Sequence, residues 1–482
     1  MTARLLLILG VLACADQPDP QDAARPEEAR RLLQRGTLFL QQDRPARALA
    51  ALAQAVALDS SSSTAYFQKG RAHAWLDQPA LAIAAFKRAL ALTPDQPRAL
   101  FALAAVLRDQ HLYLEAAAHL EQAISLAPER AKYHFYLGEV RRATGDFAGA
   151  LAAFERTIEL APDHLEARYY HSDLLVRNQQ LSQARTGFAD LLARDPDHVQ
   201  GGLGLGGLLI RLEEPAAAIA VLKRVADTDP HNPAPHYLLA QAYAKSDRPA
   251  DARNAQGRFQ QLSAAERHLN QGNIYIRQGA WDKAIDSLRR ALASDSTSVE
   301  IRLRLATVYA QQKRFAAARA ALAQVLARNP DHRDASIMLG DLYLHEGKSK
   351  EAEEYFVRAL AIDPDFFAAA YGLGRARFKG GDFAGAVAAL RQALARNPDH
   401  RDAHYVLGLT YVRQTNYRDA RAHFARSIAL DPDHAESHYG LALILMQQGQ
   451  RKQARQALQK VLALAPDHQR ARAKLNELDQ GP

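Results

Sequence analysis

An alanine returns every 34 residues along this chain: Ala48, Ala82, Ala116, Ala150, Ala184, Ala218 and Ala252, then, after one slip of two residues, Ala284, Ala318, Ala352, Ala386, Ala420 and Ala454. Twelve positions ahead of each stands Gly, Ala or Ser, from Gly36 and Gly70 through to Gly408 and Ala442. A fixed period of this length marks stacked helical hairpins, each burying its apolar face only against its neighbours. It overrides the several globular domains that 482 residues would otherwise suggest. A hydrophobic content of 48%, rich in alanine and poor in aromatics, suits thin, closely packed helices better than one thick core.

With the alanine at position 20, repeats begin at 29, 63, 97, 131, 165, 199 and 233, then at 265, 299, 333, 367, 401 and 435. That makes thirteen, with residues 469–479 left as a closing helix. Apolar residues spaced by three and four in both halves of the repeat predict two amphipathic helices, A and B. Small side chains at positions 8 and 20 let the two axes approach. Proline closes ten repeats, from Pro94 to Pro466, and stops helix B. The Asp that usually follows is expected to cap the next helix A. Proline also opens helix B at Pro45, Pro79, Pro215 and Pro249, where a first turn tolerates it.

Small at 8, Tyr at 11 (Tyr243, Tyr275, Tyr309, Tyr343, Tyr411), Ala at 20, Phe at 24 and Pro at 32 together resemble the tetratricopeptide repeat, over residues 29–479. The resemblance implies an all-α, right-handed superhelical solenoid of about thirteen helix-turn-helix repeats plus a C-terminal capping helix. It implies a non-enzymatic protein without cofactor or metal, whose helix A residues line a concave groove for extended or helical segments of partner proteins. In the family the groove-facing positions are 2, 5, 9, 12 and 13. Position 5 is aromatic at Phe67, Phe101, Phe135, Tyr169, Tyr237, Tyr371, Tyr405 and Tyr439, residues suited to anchor a partner or to pack between helices. Position 13 is basic at Arg177, Arg211, Lys245, Arg277, Lys379 and Arg413. Position 2 turns acidic at Glu266, Glu300, Asp334, Asp402 and Glu436. Opposed stripes would orient a charged segment; solvated helix faces account for them equally well.

The period breaks once. Repeat 7 has Ala264 in place of its closing proline, carries Gln256 and Gly257 in helix B, and is two residues short. Two blocks follow, 29–264 with seven repeats and 265–482 with six and the capping helix. Ahead of them, residues 1–14 read as a signal segment: the apolar run Leu5–Ala13 is too short to span a bilayer. Val11-Leu12-Ala13-Cys14 resembles a lipobox, with Cys14 the lipidated residue and the only cysteine of the chain; Ala13-Cys14-Ala15 also fits ordinary signal-peptide cleavage. Residues 15–28, Pro/Asp-rich, read as a flexible linker. The expectation is an exported lipoprotein of the outer membrane facing the periplasm, anchored by lipid and not by a transmembrane helix. Soluble periplasmic and cytoplasmic locations are the alternatives.

A net charge of +8 spread over the chain gives no specific nucleic-acid signal. The carboxylate clamp of chaperone-binding tetratricopeptide domains is missing, with Asn273 at position 9 facing Leu269 at 5, and an asparagine ladder at position 6 has only Asn270. His400/His404 and His434/His438 have metal-compatible spacing but follow from the repeat itself. Residues 202–207 spell G-x-G-x-x-G inside a helix A with no strand before it, so they are expected to soften that helix, not to bind a nucleotide. The function that fits is a scaffold for partner proteins in an assembly or secretion system. The alternative is a targeting subunit for a glycosyltransferase or protease carried on another chain.

Overall fold

Each 34-residue repeat folds as the pair of helices its periodicity calls for. The structure, a computed structural model, describes residues 20–480, and within them 26 helices and no strand. Repeat 2 is representative: helix A is Ser63–Trp75 and helix B is Pro79–Leu92. Among the described residues no helix is long and apolar enough to cross a membrane. Residues 1–19, with Cys14 and the signal segment, lie outside the described residues, as does the first part of the linker. The rest of the expected linker is helical, because the first helix runs Pro20–Gln41. Glu27 and Arg31, one turn apart there, pair at 2.7 Å, the kind of contact that extends a helix end.

Packing explains the alanine. Twelve of the thirteen position-20 alanines have no exposed surface, and the one exception is Ala252, in the shortened repeat 7. Position 8 is small for a related reason. The Phe356 ring lies between Gly340 of its own helix A and Gly372 of the next, and a methyl on Gly340 would stand 2.7 Å from Phe356 Cζ. Phe424 sits likewise between Gly408 and Gly440.

Every helix A ends in the same turn. Position 15 is left-handed in all thirteen repeats, as Gly145, Gly279, Gly347, Gly381 or Gly449 and otherwise as Asp43, Asp77, His111, Gln179, Glu213, Asp247, Lys313 or Thr415. The N–H of position 16 then donates to the carbonyl of position 11, as in Gln78 to His73 at 2.9 Å and Arg314 to Tyr309 at 2.8 Å. This double-back satisfies carbonyls that the helix end would otherwise strand.

The helix A start differs from expectation. The Asp after the closing proline is not the cap; the residue one further on, usually His, takes that place. Nδ1 of His164, His198, His332, His400 and His468 accepts from the backbone N–H three residues ahead, at 3.0–3.3 Å. In the Pro-Asp-His turn the Asp lies one residue too early for its carboxylate to reach that N–H.

Two compact units are present, one ending at Phe259 and one beginning at Gln260, a few residues ahead of the block boundary at 264/265. The division falls within a single helix, Pro249–Arg277, of 29 residues. Where other repeats place a proline, Ala264 leaves the helix uninterrupted. The second unit ends in the helix Gln469–Gln480, whose Ala471 and Leu478 pack on Leu458 and Val461 and close the apolar end.

Candidate functional site

The aromatic row at position 5 is partly committed to packing. Each ring stands in the second turn of a helix A, and where position 24 is Phe, or the next helix A opens on His, the ring lies beside that neighbour. Phe135 lies 5.8 Å from Phe154 and 4.4 Å from His164. Tyr169 lies 6.3 Å from Phe188, and Tyr405 lies 6.1 Å from Phe424 and 5.1 Å from His434. Tyr371 approaches His400 at 5.1 Å and Tyr439 approaches His468 at 4.8 Å. Phe67 meets Phe86, Tyr237 meets Phe259, and Phe101 stacks on Tyr133 at 5.0 Å. Seven of the eight are half-buried, while Tyr237 is 46% exposed. Burial, with Glu436 close by, pushes the Tyr405 hydroxyl up to about 12. These rings therefore hold adjacent repeats together while part of each stays exposed.

All six position-13 cations are exposed, and five have partners within the fold. Lys245 Nζ donates to the Ile210 carbonyl and Lys379 Nζ to the Leu344 carbonyl, both at 3.2 Å, each bracing the end of the preceding helix A. Arg211 donates to Gln179, Arg177 pairs with Asp173 at 3.1 Å, and the Arg413 guanidinium lies 5.4 Å from the Phe383 ring. The acidic position-2 row is similarly engaged: Asp334 with Arg333 at 3.0 Å, Asp402 with Arg401 at 2.7 Å, Glu436 with Arg470 at 3.8 Å, and Glu300 with Arg304 at 3.9 Å.

The histidine pairs are divided by their environments. His400 caps a helix, whereas His404 Nε2 meets the Pro398 carbonyl at 3.0 Å and its Nδ1 meets His423 Nδ1 at 2.9 Å. His438 likewise faces the Pro432 carbonyl. Among the described residues no group of three or more His, Cys, Asp or Glu is arranged to hold a metal. The G-x-G-x-x-G stretch lies in the helix Val199–Arg211, and three of its four glycines face neighbouring side chains: Gly202 faces Val225, Gly204 faces Phe188 and Gly206 faces Leu222.

A concavity lies on the helix A side of repeats 2 to 4, within the first unit, with a volume of about 900 Å³. Phe67, Phe101 and Tyr133 form its apolar wall, and Arg71, Arg98, Arg130 and Lys132 its charged one. Burial and the neighbouring Arg98 together hold the Arg71 guanidinium below its ordinary value. None of these cations is at position 13. The signal was in the sequence nonetheless: position 2 is Arg98 and Lys132 in successive repeats, while its acidic counterpart stands only further along.

Tetratricopeptide repeat models match residues 33–97, 101–164, 141–204, 209–255, 236–299, 275–342, 310–377, 343–410, 377–426 and 406–469. The chain belongs to the tetratricopeptide repeat family. Its fold is that of a protein-binding scaffold, typically non-catalytic, and proteins of this kind bind peptide segments of other proteins. No curated protein matches the chain. Among solved structures it is similar to MamA, at 25% identity over 34% of this chain and 97% of that one, with a TM-score of 0.32. It is also similar to the APC/C hetero-tetramer Cut9–Hcn1, at 14% identity over 95% of this chain and 98% of that one, with a TM-score of 0.41. YrrB, described as a TPR protein with an unusual peptide-binding site, shares 22% identity over 38% of this chain and 95% of its own, with a TM-score of 0.36.

Proposed function

We propose that the chain holds segments of partner proteins along its helix A face as a non-enzymatic scaffold of a bacterial envelope assembly or secretion system. The observation that carries this reading is the row of half-buried rings on that face, together with the concave cleft among them. Its anchor would be lipid on Cys14, following the apolar run Leu5–Ala13, with the protein on the periplasmic side of the outer membrane. Palmitate labelling of the expressed chain tests the anchor: label on the unaltered protein that is lost in Cys14→Ser supports it, and an unlabelled parent overturns it. Crosslinking and pull-down from native membranes tests the scaffold. Tyr405→Ala with Tyr439→Ala should reduce partner recovery several-fold, whereas undiminished recovery would remove those rings from the binding face. Recovery of a glycosyltransferase or protease would specify the scaffold as an enzyme's targeting subunit.

A further inference from the structure

We infer that the cleft of repeats 2 to 4 seats an acidic, extended segment of a partner protein, a reading that rests on the scaffold function and specifies its ligand. Charge is the first reason. Arg71, Arg98, Arg130 and Lys132 face one carboxylate at the cleft, Glu129, which lies 3.8 Å from Arg156. Among the described residues none of the four forms an ion pair. Arginines elsewhere on the chain commonly do: Arg108, one repeat edge away, is held by Asp109 at 2.8 Å and Glu139 at 2.6 Å. A concave surface that gathers like charges and leaves them unanswered is complementary to an anion, and it raises the on-rate of one.

The arrangement of those cations sets the ligand's form. The Arg98 guanidinium lies 5.9 Å from the Phe67 ring centre, and the Lys132 ammonium lies 4.9 Å from Phe101. Cation and ring thus recur in successive repeats, which fits a segment that alternates carboxylates with apolar side chains. Arg71 is positioned deeper and donates to Gln68 Oε1 at 2.9 Å, so its remaining donors can meet a carboxylate inside the cleft.

Single-stranded nucleic acid fits less well. It needs a continuous basic track and free aromatic faces for base stacking. The Phe101 ring is already approached by Tyr133 at 5.0 Å, Tyr136 at 4.8 Å and Lys132 at 4.9 Å. The basic run at position 2 also gives way to Glu166 in the next repeat.

Fluorescence anisotropy on the full chain tests the assignment, using a labelled dodecapeptide that alternates glutamate with phenylalanine and leucine. The peptide should bind, weaken as salt rises, and lose about tenfold or more in affinity to Arg98→Glu with Lys132→Glu, while Arg224→Glu with Arg290→Glu, both on helices B, leaves it within about twofold. Matched circular dichroism confirms that the charge-reversed chain folds, as expected for surface residues. Equal binding of a glutamine-for-glutamate peptide, or tighter binding of an oligothymidylate of equal charge, overturns the inference. Membrane pull-down separates the two readings. Partners recovered equally by the parent and by Arg98→Glu/Lys132→Glu overturn this site alone, whereas partners lost in Tyr405→Ala/Tyr439→Ala still support the scaffold.

Discussion

Gly204 and Gly207 stand three residues apart on one helix and are there for different reasons. A methyl on Gly204 would lie 2.6 Å from the Phe188 ring, while nothing stands within 4 Å of the same position on Gly207. Gly207→Ala should therefore stabilise the chain by about 0.5–1 kcal/mol through backbone entropy. Gly204→Ala should destabilise it by about 1–3 kcal/mol through overpacking. Urea unfolding of the two variants checks both signs; two stabilising results would show that the ring simply moves aside. At this scale the sequence was half legible. The period alone called for smallness at positions 8 and 20, because both recur thirteen times. The glycine cluster read as softness, since the side chains that require it (Leu191, Val225, Phe188 and Leu222) lie on neighbouring helices.

Helices were the most legible level, and their starts the least. Proline and apolar spacing placed nearly every helix, yet the cap fell to histidine, an uncommon choice whose geometry only the turn reveals. A neutral Nδ1 can accept the backbone N–H; an imidazolium cannot, and its charge opposes the positive end of the helix. Burial lowers the proton affinity of His400 and His434 in the folded chain, and burial beside His404 lowers that of His423 to about 4 from an ordinary 6.5. The unfolded chain then binds more protons than the folded one between these values. The stability of the neutral histidines is complete above about 6.5 and drains away as pH falls toward about 4. Thermal melts across that window should show the loss. A chain with His400→Asn keeps that cap without a titrating group, and should lose less on acidification. An identical acid limb in that variant would rule out this cap as a cause.

Across the whole molecule, stability should be local. Repeats of this kind meet only their neighbours, so damage at one place travels a repeat or two and stops. Phe356→Ala, at a side chain with no exposed surface, should cost about 3–5 kcal/mol. Amide exchange should quicken around residues 333–380 and stay unchanged around 63–126; acceleration in both places would mean that the chain unfolds as one body. At this scale the architecture was legible and the binding face only partly so. Periodicity identifies which positions share a face, but it does not show that Lys245 turns back onto Ile210 or that Asp402 is answered by Arg401. The unanswered cations of repeats 2 to 4 emerged only when their neighbours were in place.

The left-handed joint at position 15 has a consequence for how such a chain is made. Thirteen times the same backbone turn is built with glycine or with any of six other residue types, so the joint is defined by shape and is interchangeable. A 34-residue stretch copied or lost between any two joints returns the helices to register, and unequal recombination can lengthen or shorten the protein without inventing a new contact. The unbroken helix Pro249–Arg277 is the exception. It lies whole between the joints at Asp247 and Gly279, which stand 32 residues apart where the others stand 34, so the number of repeats can drift on either side of it while this shorter stretch must be inherited as it is.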